Sequence, residues 1–294
     1  MKLLTPAGAI ACLLCLLMAC SPCRASAQTL ALPVDDSPGF APMAEGYTSD
    51  LSYQDPSIEV TIEADRAYGT DYWVARIKVA HPSQLRTMSA AGFDSNRTTS
   101  GKALGRRVQS VLAINGDYFS YINDGYLIRQ GVMYRQLPRG VRDVLLINAQ
   151  GDFHIAIQAT MESLTPYSRM NIVNSFNFGP GLVIKGERVK QFFNNDNVAF
   201  EGRQRMAIAQ VRTGSLEYVA VACAGPKGNN TGMTLEQFSL VLTGLGVENA
   251  YNLDGGNSTM MLFRDVYINA MHEATMRPIS DIIYFASAYA PQGK

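Results

Sequence analysis

Short apolar runs, alternating or β-branched, recur along most of this chain, and each is cut off by Gly, Pro, Asn or Asp before it reaches helical length. They lie at residues 58–62, 72–79, 108–115, 126–133, 143–148, 153–158, 172–178, 182–184, 206–211, 216–222, 251–253 and 282–288. A chain patterned this way must bury strands against strands. One helix stands out, over 234–245. Thr234 is its N-cap and Gln237 completes a capping box, while Leu235, Phe238, Leu242 and Leu245 form one apolar face, ended by Gly244 and Gly246. A second helix is expected over 81–91, from the spacing of Leu85 and Met88. Many strands with few helices predict an α+β fold with a strand-rich mixed sheet core.

Residues 1–27 read as a secretory signal peptide. Lys2 precedes an apolar stretch at 9–19, and Ala25, Ser26 and Ala27 form a small-residue cleavage signal. The stretch is shorter than a membrane-spanning helix. The second reading is a lipoprotein signal with Cys20 as the attachment residue. Either predicts an exported protein, secreted, periplasmic or at the cell surface, and not integral to the membrane once processed. Residues 28–56, rich in Pro, Ser, Asp and Gly, read as a linker or N-terminal arm, and the fold proper begins near Ser57 and runs over 57–294. One domain is the default for that length, two the alternative.

Four of the five cysteines precede residue 27, so processing leaves Cys223 alone and no internal disulfide framework. Cys223 lies in an apolar run and reads as a small buried hydrophobe. The formal charge of zero becomes slightly negative once Lys2 and Arg24 are lost, which excludes a nucleic-acid footprint.

The chemistry concentrates where a strand ends. Asn252, Leu253, Asp254, Gly255, Gly256, Asn257, Ser258 and Thr259 place a carboxylate and two glycines between apolar segments at 250–251 and 260–263. Glycines there admit positive φ and close approach of a ligand, and their N–H groups suit an anion such as phosphate. Asn115, Gly116, Asp117 and Tyr118 repeat the arrangement after the run ending at Ile114; a tight turn satisfying its own backbone is the bland reading. Alternation puts Arg203 and Arg205 on one side of an emerging strand, where two guanidinium groups can grip a phosphate; a solvated edge is the alternative. The loop 225–232 enters the capped helix and offers an anion its N-terminus, without a Walker pattern.

Metal chemistry has little to build on. His81, His154 and His272 are scattered, and Asn194, Asn195, Asp196 and Asn197 lack EF-hand spacing. No cofactor is implied, although a divalent cation such as calcium stays open. Ser258 lacks a nucleophile elbow.

In order and spacing, INGDYF (114–119), FGPGLVIKG (178–186), RQRMAIA (203–209), GMTLEQFSLVLTGLG (232–246) and YNLDGGNSTM (251–260) together resemble the phosphodiester glycosidase family. The resemblance runs from about residue 58 to 289. It implies one cleft lined by Asn115, Asp117, Arg205, Asp254, Gly255, Gly256 and Ser258. Two departures stand out. The family commonly has Arg-Thr-Ala-Ile-Gly where this chain has Arg205, Met206, Ala207, Ile208 and Ala209, and a small residue where Asp117 stands. Sugar and aglycone identity are therefore not carried over.

The implied reaction is hydrolysis of a sugar 1-phosphodiester, of the N-acetylglucosamine 1-phosphodiester kind, to free sugar and a phosphomonoester. An ordinary glycosidase needs a carboxyl pair because its alkoxide leaving group must be protonated. A phosphomonoester, with a second pKa of about 6, leaves as an anion. The expected roles are Asp254 as catalytic carboxylate and Asp117 as its partner, with Arg205, Arg203 and the Gly255 and Gly256 amides as phosphate cradle. Asn115, Gly116, Asn252, Asn257 and Ser258 would orient the substrate, and Tyr118 or Tyr251 would stack on the sugar. The expected partner is a carbohydrate phosphodiester, from a cell-wall or capsular polymer. A metal-dependent phosphodiesterase and a noncatalytic glycan-binding module are the rival classes.

Overall fold

The computed structural model describes residues 31–192, 199–269 and 276–290. The signal-peptide reading, the loop at Asn194–Asn197 and His272 lie outside the described residues.

Two sheets face one another. The larger has nine strands, in the order Tyr47–Ser49, Ser52–Gln54, Ile58–Ala67, Thr70–Val79, Glu217–Cys223, Arg205–Gln210, Asn249–Leu253, Gly181–Ile184 and Glu187–Arg188. The smaller runs Val266–Tyr267, Met261–Phe263, Leu112–Asn115, Asp281–Phe285 and Leu85–Ser89. Their facing sides supply one core, with Val60, Ile62, Ile77 and Ile208 meeting Ile114, Met261, Ile283 and Phe285. Period-2 patterning puts them there: in Ile58–Ile62 residues 58, 60 and 62 are buried while Glu59 is exposed. A three-stranded sheet (Phe153–Ala156, Val144–Asn148, Ile172–Phe176) and a hairpin (Gly125–Arg129, Val132–Leu137) complete the strands. Every pairing among the described strands is antiparallel.

Each outer face is covered by a helix. The expected helix is Leu235–Gly244, and the Thr234 hydroxyl accepts the Gln237 N–H while the Gln237 side chain accepts that of Thr234. Such a cap is worth about 1 kcal/mol. Leu235, Phe238 and Leu242 are fully buried against the large sheet, each contributing roughly 1.5–3 kcal/mol. On the smaller sheet lies a second helix, Gly101–Arg107, for which the sequence carries no expectation. Its two glycines hide it from propensity, yet they are what lets it pack: a Cβ at Gly101 or Gly105 would collide with Met260 or Leu262.

Two expectations change. Residues 81–91 hold no α-helix but a short 3-10 turn, Pro82–Gln84, and the strand Leu85–Ser89, whose five residues are all buried because both faces are covered. The run 126–133 is two strands, joined where Gln130 and Gly131 both take positive φ. Residues 31–56 are tied to the domain: two of their segments extend the large sheet, and the buried Arg86 guanidinium donates to the carbonyls of Pro33, Asp35 and Ser37 at 2.7, 2.7 and 3.0 Å.

Candidate active site

Antiparallel register creates the site. Met206 pairs with Leu253 and Ala207 with Asn252, so the start of one central strand lies beside the end of the other. Arg205 and Asp254 thereby come to the same edge of the large sheet, although 48 positions separate them in the sequence. The edge opens into a cleft of about 410 Å³ lined by Phe178, Arg203, Gln204, Arg205, Asn252, Asp254, Gly255, Gly256, Asn257 and Arg277. Among the described residues Asp254 is the one carboxylate lining it.

Asp254 is 6 % exposed. Its Oδ2 accepts from Arg277 Nη2 at 2.6 Å and its Oδ1 from the Gly255 N–H at 2.9 Å. Burial raises its pKa above the ordinary 3.8, outweighing the Ser258 hydroxyl, Arg277 and the Gly255 amide, which all favour the ionised form. The backbone of Asp254 is pinned from the smaller sheet. Asn115 Nδ2 donates to its carbonyl at 2.7 Å, and its N–H donates to Gly116 O at 3.3 Å.

The guanidinium groups are held differently. Arg205 donates from Nε to Met233 O and from Nη2 to Glu201 O, both at 2.9 Å, which fixes the fork. Burial lowers its pKa to about 10, so it stays cationic at neutral pH. Arg203 pairs with Glu201 at the half-exposed rim, where an ion pair contributes little to stability. Arg277 is 41 % exposed, donates to Ser258 Oγ through Nε and lies over the Tyr118 ring, 4.5 Å from its centroid.

The cleft therefore gathers Arg203, Arg205, Asn252, Asp254, Gly255, Gly256 and Asn257, but not every predicted residue in the predicted manner. Asp117 stands behind it, 0 % exposed: its Oδ1 accepts from Arg129 at 2.7 Å and its Oδ2 from the Asn177 N–H at 2.7 Å. Arg129 also donates to Asp281 at 3.2 Å, and its guanidinium lies 4.3 Å from the Phe176 ring centre. Burial, with the neighbouring Asp117 carboxylate adding to it, raises the Asp281 pKa. Nothing is left of Asp117 to face a substrate, so it works as a strut joining the cleft's supporting segments.

The glycine amides are also spoken for. Gly255 N–H serves Asp254 itself and Gly256 N–H donates to Gln204 O at 3.1 Å, so neither cradles a phosphate. Asn115 is fully engaged, its Oδ1 accepting the Met260 N–H at 3.1 Å. Gly116 packs where a Cβ would collide with the Asp281 carboxyl. Ser258 orients Arg277. Tyr251 is fully buried with its hydroxyl on the carbonyls of Asp143 and Phe176, so it cannot stack on a sugar. Tyr118 stacks on Tyr121 and packs against the Arg277 guanidinium. The loop 225–232 is held by Arg66 and lies outside the cleft lining. Cys223 is buried, its thiol pushed up to about 12 by that burial.

Asn252 lines the cleft with one end fixed. Its Nδ2 donates to Gly179 O at 2.7 Å, an acceptor only, which sets the amide orientation and leaves Oδ1 buried without a partner. Sequence reasoning missed Arg277 and Phe178. An isolated arginine after a polar loop carries no local signature, and Phe178 reads as strand core.

The description "Phosphodiester glycosidase" belongs to the family whose sequence profile matches residues 109–286. No curated protein matches the chain. Among solved structures, the fold is similar to the catalytic domain of zebrafish N-acetylglucosamine-1-phosphodiester alpha-N-acetylglucosaminidase, auto-inhibited by its pro-peptide. The TM-score is 0.62 at 19 % identity, over 89 % of this chain and 99 % of that one. A hypothetical protein from Synechocystis gives 0.57 at 16 % identity, over 81 % and 64 %. A Burkholderia pseudomallei protein described as exported gives 0.52 at 12 %, over 74 % of each. The profile covers more than half of the sequence and includes both the Asn115 turn and the Asp254 strand end, and on that ground the chain belongs to the phosphodiester glycosidase family.

Proposed function

We propose that the protein is an exported hydrolase that cleaves a sugar 1-phosphodiester between the sugar C1 and oxygen, releasing free sugar and a phosphomonoester. The observation that carries this reading is one buried carboxylate, Asp254, in a cleft otherwise furnished with Arg203, Arg205 and Arg277. A carboxyl pair is what a glycosidase needs for an alkoxide leaving group. A phosphate leaving group dispenses with the acid, because guanidinium groups stabilise the charge that develops as the C1–O bond breaks.

In this reading Asp254 acts at C1, as nucleophile or by taking a proton from water. Arg277 holds the carboxylate ionised and in place, and the Arg205 fork, already fixed by Met233 and Glu201 carbonyls, receives the phosphate. Asn252 supports the cleft wall, its amide fixed on the Gly179 carbonyl. Export is supported by the N-terminal sequence, and no helix among the described residues is long and apolar enough to cross a membrane. A cell-wall or capsular polymer is the natural source of such a diester for an exported enzyme.

The test is turnover of methyl N-acetylglucosaminyl 1-phosphate in water enriched in heavy oxygen. Label in the free sugar is expected. Label in the phosphate would instead support a phosphodiesterase breaking the phosphorus–oxygen bond, and saturable binding without turnover a recognition module.

A further inference from the structure

Three charged side chains lie together behind the cleft, out of reach of solvent. Asp117, Arg129 and Asp281 are 0, 0 and 1 % exposed, and the Arg129 Nη2 contacts with Asp117 Oδ1 and Asp281 Oδ2 give two carboxyls one shared guanidinium. That guanidinium is fixed. Its Nη1 donates to the carbonyls of Ile128 and Ser175, and the Phe176 ring packs against it. No second cation touches Asp281 among the described residues. Ser89 stands opposite it on the edge strand, Ser280 Oγ donates to its Oδ1 at 3.3 Å, and the remaining charged neighbours are Asp117 and Arg129. Asp117 is also within electrostatic reach of Tyr251 from the large sheet and of Arg135 from the hairpin, but Arg135 is committed to the carbonyls of Phe119 and Asp124. With both carboxyls ionised the group is net negative in a dry interior; with one proton it is neutral. Burial first, and Asp117 second, hold that proton on Asp281 above the ordinary carboxyl range.

Each carboxyl is tied to a different part of the cleft. The Asp281 carboxyl packs on Gly116, whose N–H donates to Asp281 O at 3.0 Å and whose carbonyl accepts the Asp254 N–H. The segment that leads into Asp281 carries Arg277. Asp117 Oδ2 accepts the N–H of Asn177, the residue before Phe178 of the cleft lining. We propose that Asp281 is a positioning residue whose proton keeps the cleft in shape while Asp117 is ionised, and that loss of this proton sets an alkaline limit to activity. The kinetic consequence rests on the reading of the cleft as a phosphodiester glycosidase site; the charge balance rests on the three side chains alone. Two ionised carboxylates sharing one cation repel each other where no water screens them. Relief requires Asp281 to move, and Gly116, the Asp254 backbone and the Arg277 segment move with it.

The experiment is a pH profile of kcat/KM for methyl N-acetylglucosaminyl 1-phosphate, with thermal melts and infrared spectra over the same range. Wild-type activity should fall as pH rises through the Asp281 pKa. Asp281→Asn cannot ionise and should shift that limb upward by about one pH unit or more, each profile compared with its own plateau, until Arg205, its pKa lowered to about 10, limits both proteins. Asp117→Asn should remove the same limb, because Arg129 then balances the one remaining carboxylate. The melts follow by linkage. A carboxyl with a raised folded-state pKa contributes stability that is full below its unfolded pKa and is lost as pH rises through the folded one, so the wild type should lose thermal stability along the limb and Asp281→Asn should not. Infrared spectra of the wild type need no variant and carry the test if the variants misfold: the carbonyl stretch of a protonated buried carboxyl should be present on the plateau and vanish along the limb. An alkaline limb unchanged in either variant, or a wild type without a protonated carboxyl on its plateau, would overturn the assignment. If the diester is not turned over at any pH, the melts and spectra still decide the role of Asp281, and the failure belongs to the proposed reaction.

Discussion

Arg277 Nη2 lies 2.6 Å from Asp254 Oδ2, joining a loop outside both main sheets to the end of a central strand. The contact places a cation on the one carboxylate of the cleft, and it opposes the burial that pushes the carboxyl pKa upward. Arg277 also covers Tyr118, so a single side chain links the reacting group to the aromatic rim.

Replacing Arg277 by Met should lower kcat/KM for a sugar 1-phosphodiester by about 10²–10³-fold, the usual cost of losing a charge-stabilising donor. Arg277→Lys should recover little, because a lysine cannot reach Asp254 and Ser258 together with a planar fork. Steady-state kinetics on purified variants checks both.

Asp254→Asn should remove turnover and raise thermal stability at neutral pH. The folded-state pKa lies above 3.8, so the stability linked to the bound proton is full below that value and is lost as pH rises through the folded pKa. The amide removes a buried charge, and Arg277, 41 % exposed, can rehydrate. Thermal melts of both proteins across pH should diverge above pH 4 and converge below it.

The same carboxyl sets the acid limb of the pH–rate profile. Catalysis needs the ionised form, so kcat/KM should rise through an apparent pKa above 3.8, and Arg277→Met should move that limb further up, because its cation favours ionisation. A limb unchanged in the variant would refute the coupling.

Removing the Arg129 cation, as in Arg129→Met, leaves Asp117 and Asp281 facing each other in a dry interior. The expected loss is about 3–5 kcal/mol at neutral pH. It should shrink on acidification, since Asp281 already holds its proton more tightly than an ordinary carboxyl and, once protonated, no longer repels Asp117. Chemical denaturation at pH 7 and pH 5 measures the difference.

The two glycines after Asp254 should respond differently to alanine. A Cβ on Gly255 would sit 2.7 Å from the Gln204 carbonyl and push the catalytic strand ends apart, so activity should collapse. Gly256, at φ +58° with open space around it, should cost only about 1 kcal/mol of backbone strain and keep most activity. Parallel kinetics and melts of the two variants separate the cases.

Local chemistry alone was enough to determine most of the strands, the capped helix and the turn residues around Asp254. Period-2 burial, the Thr234–Gln237 box and the Asn252–Ser258 strand end are written in neighbouring residues, and so the α+β class and the position of Asp254 were legible in the sequence. The tertiary structure decided what each polar residue faces. Asp117 and Asp254 follow equivalent strand ends, yet one meets Arg129 in the core and the other meets the cleft, because the meeting of the two sheets and the hairpin determines which side stays wet. The amides of Gly255 and Gly256 looked open to an anion, but Asp254 and Gln204 claim them. Arg277, Tyr118 and Tyr121 come together through pairings between segments more than 150 residues apart, and no local pattern encodes a contact whose partners are selected only when the chain closes on itself.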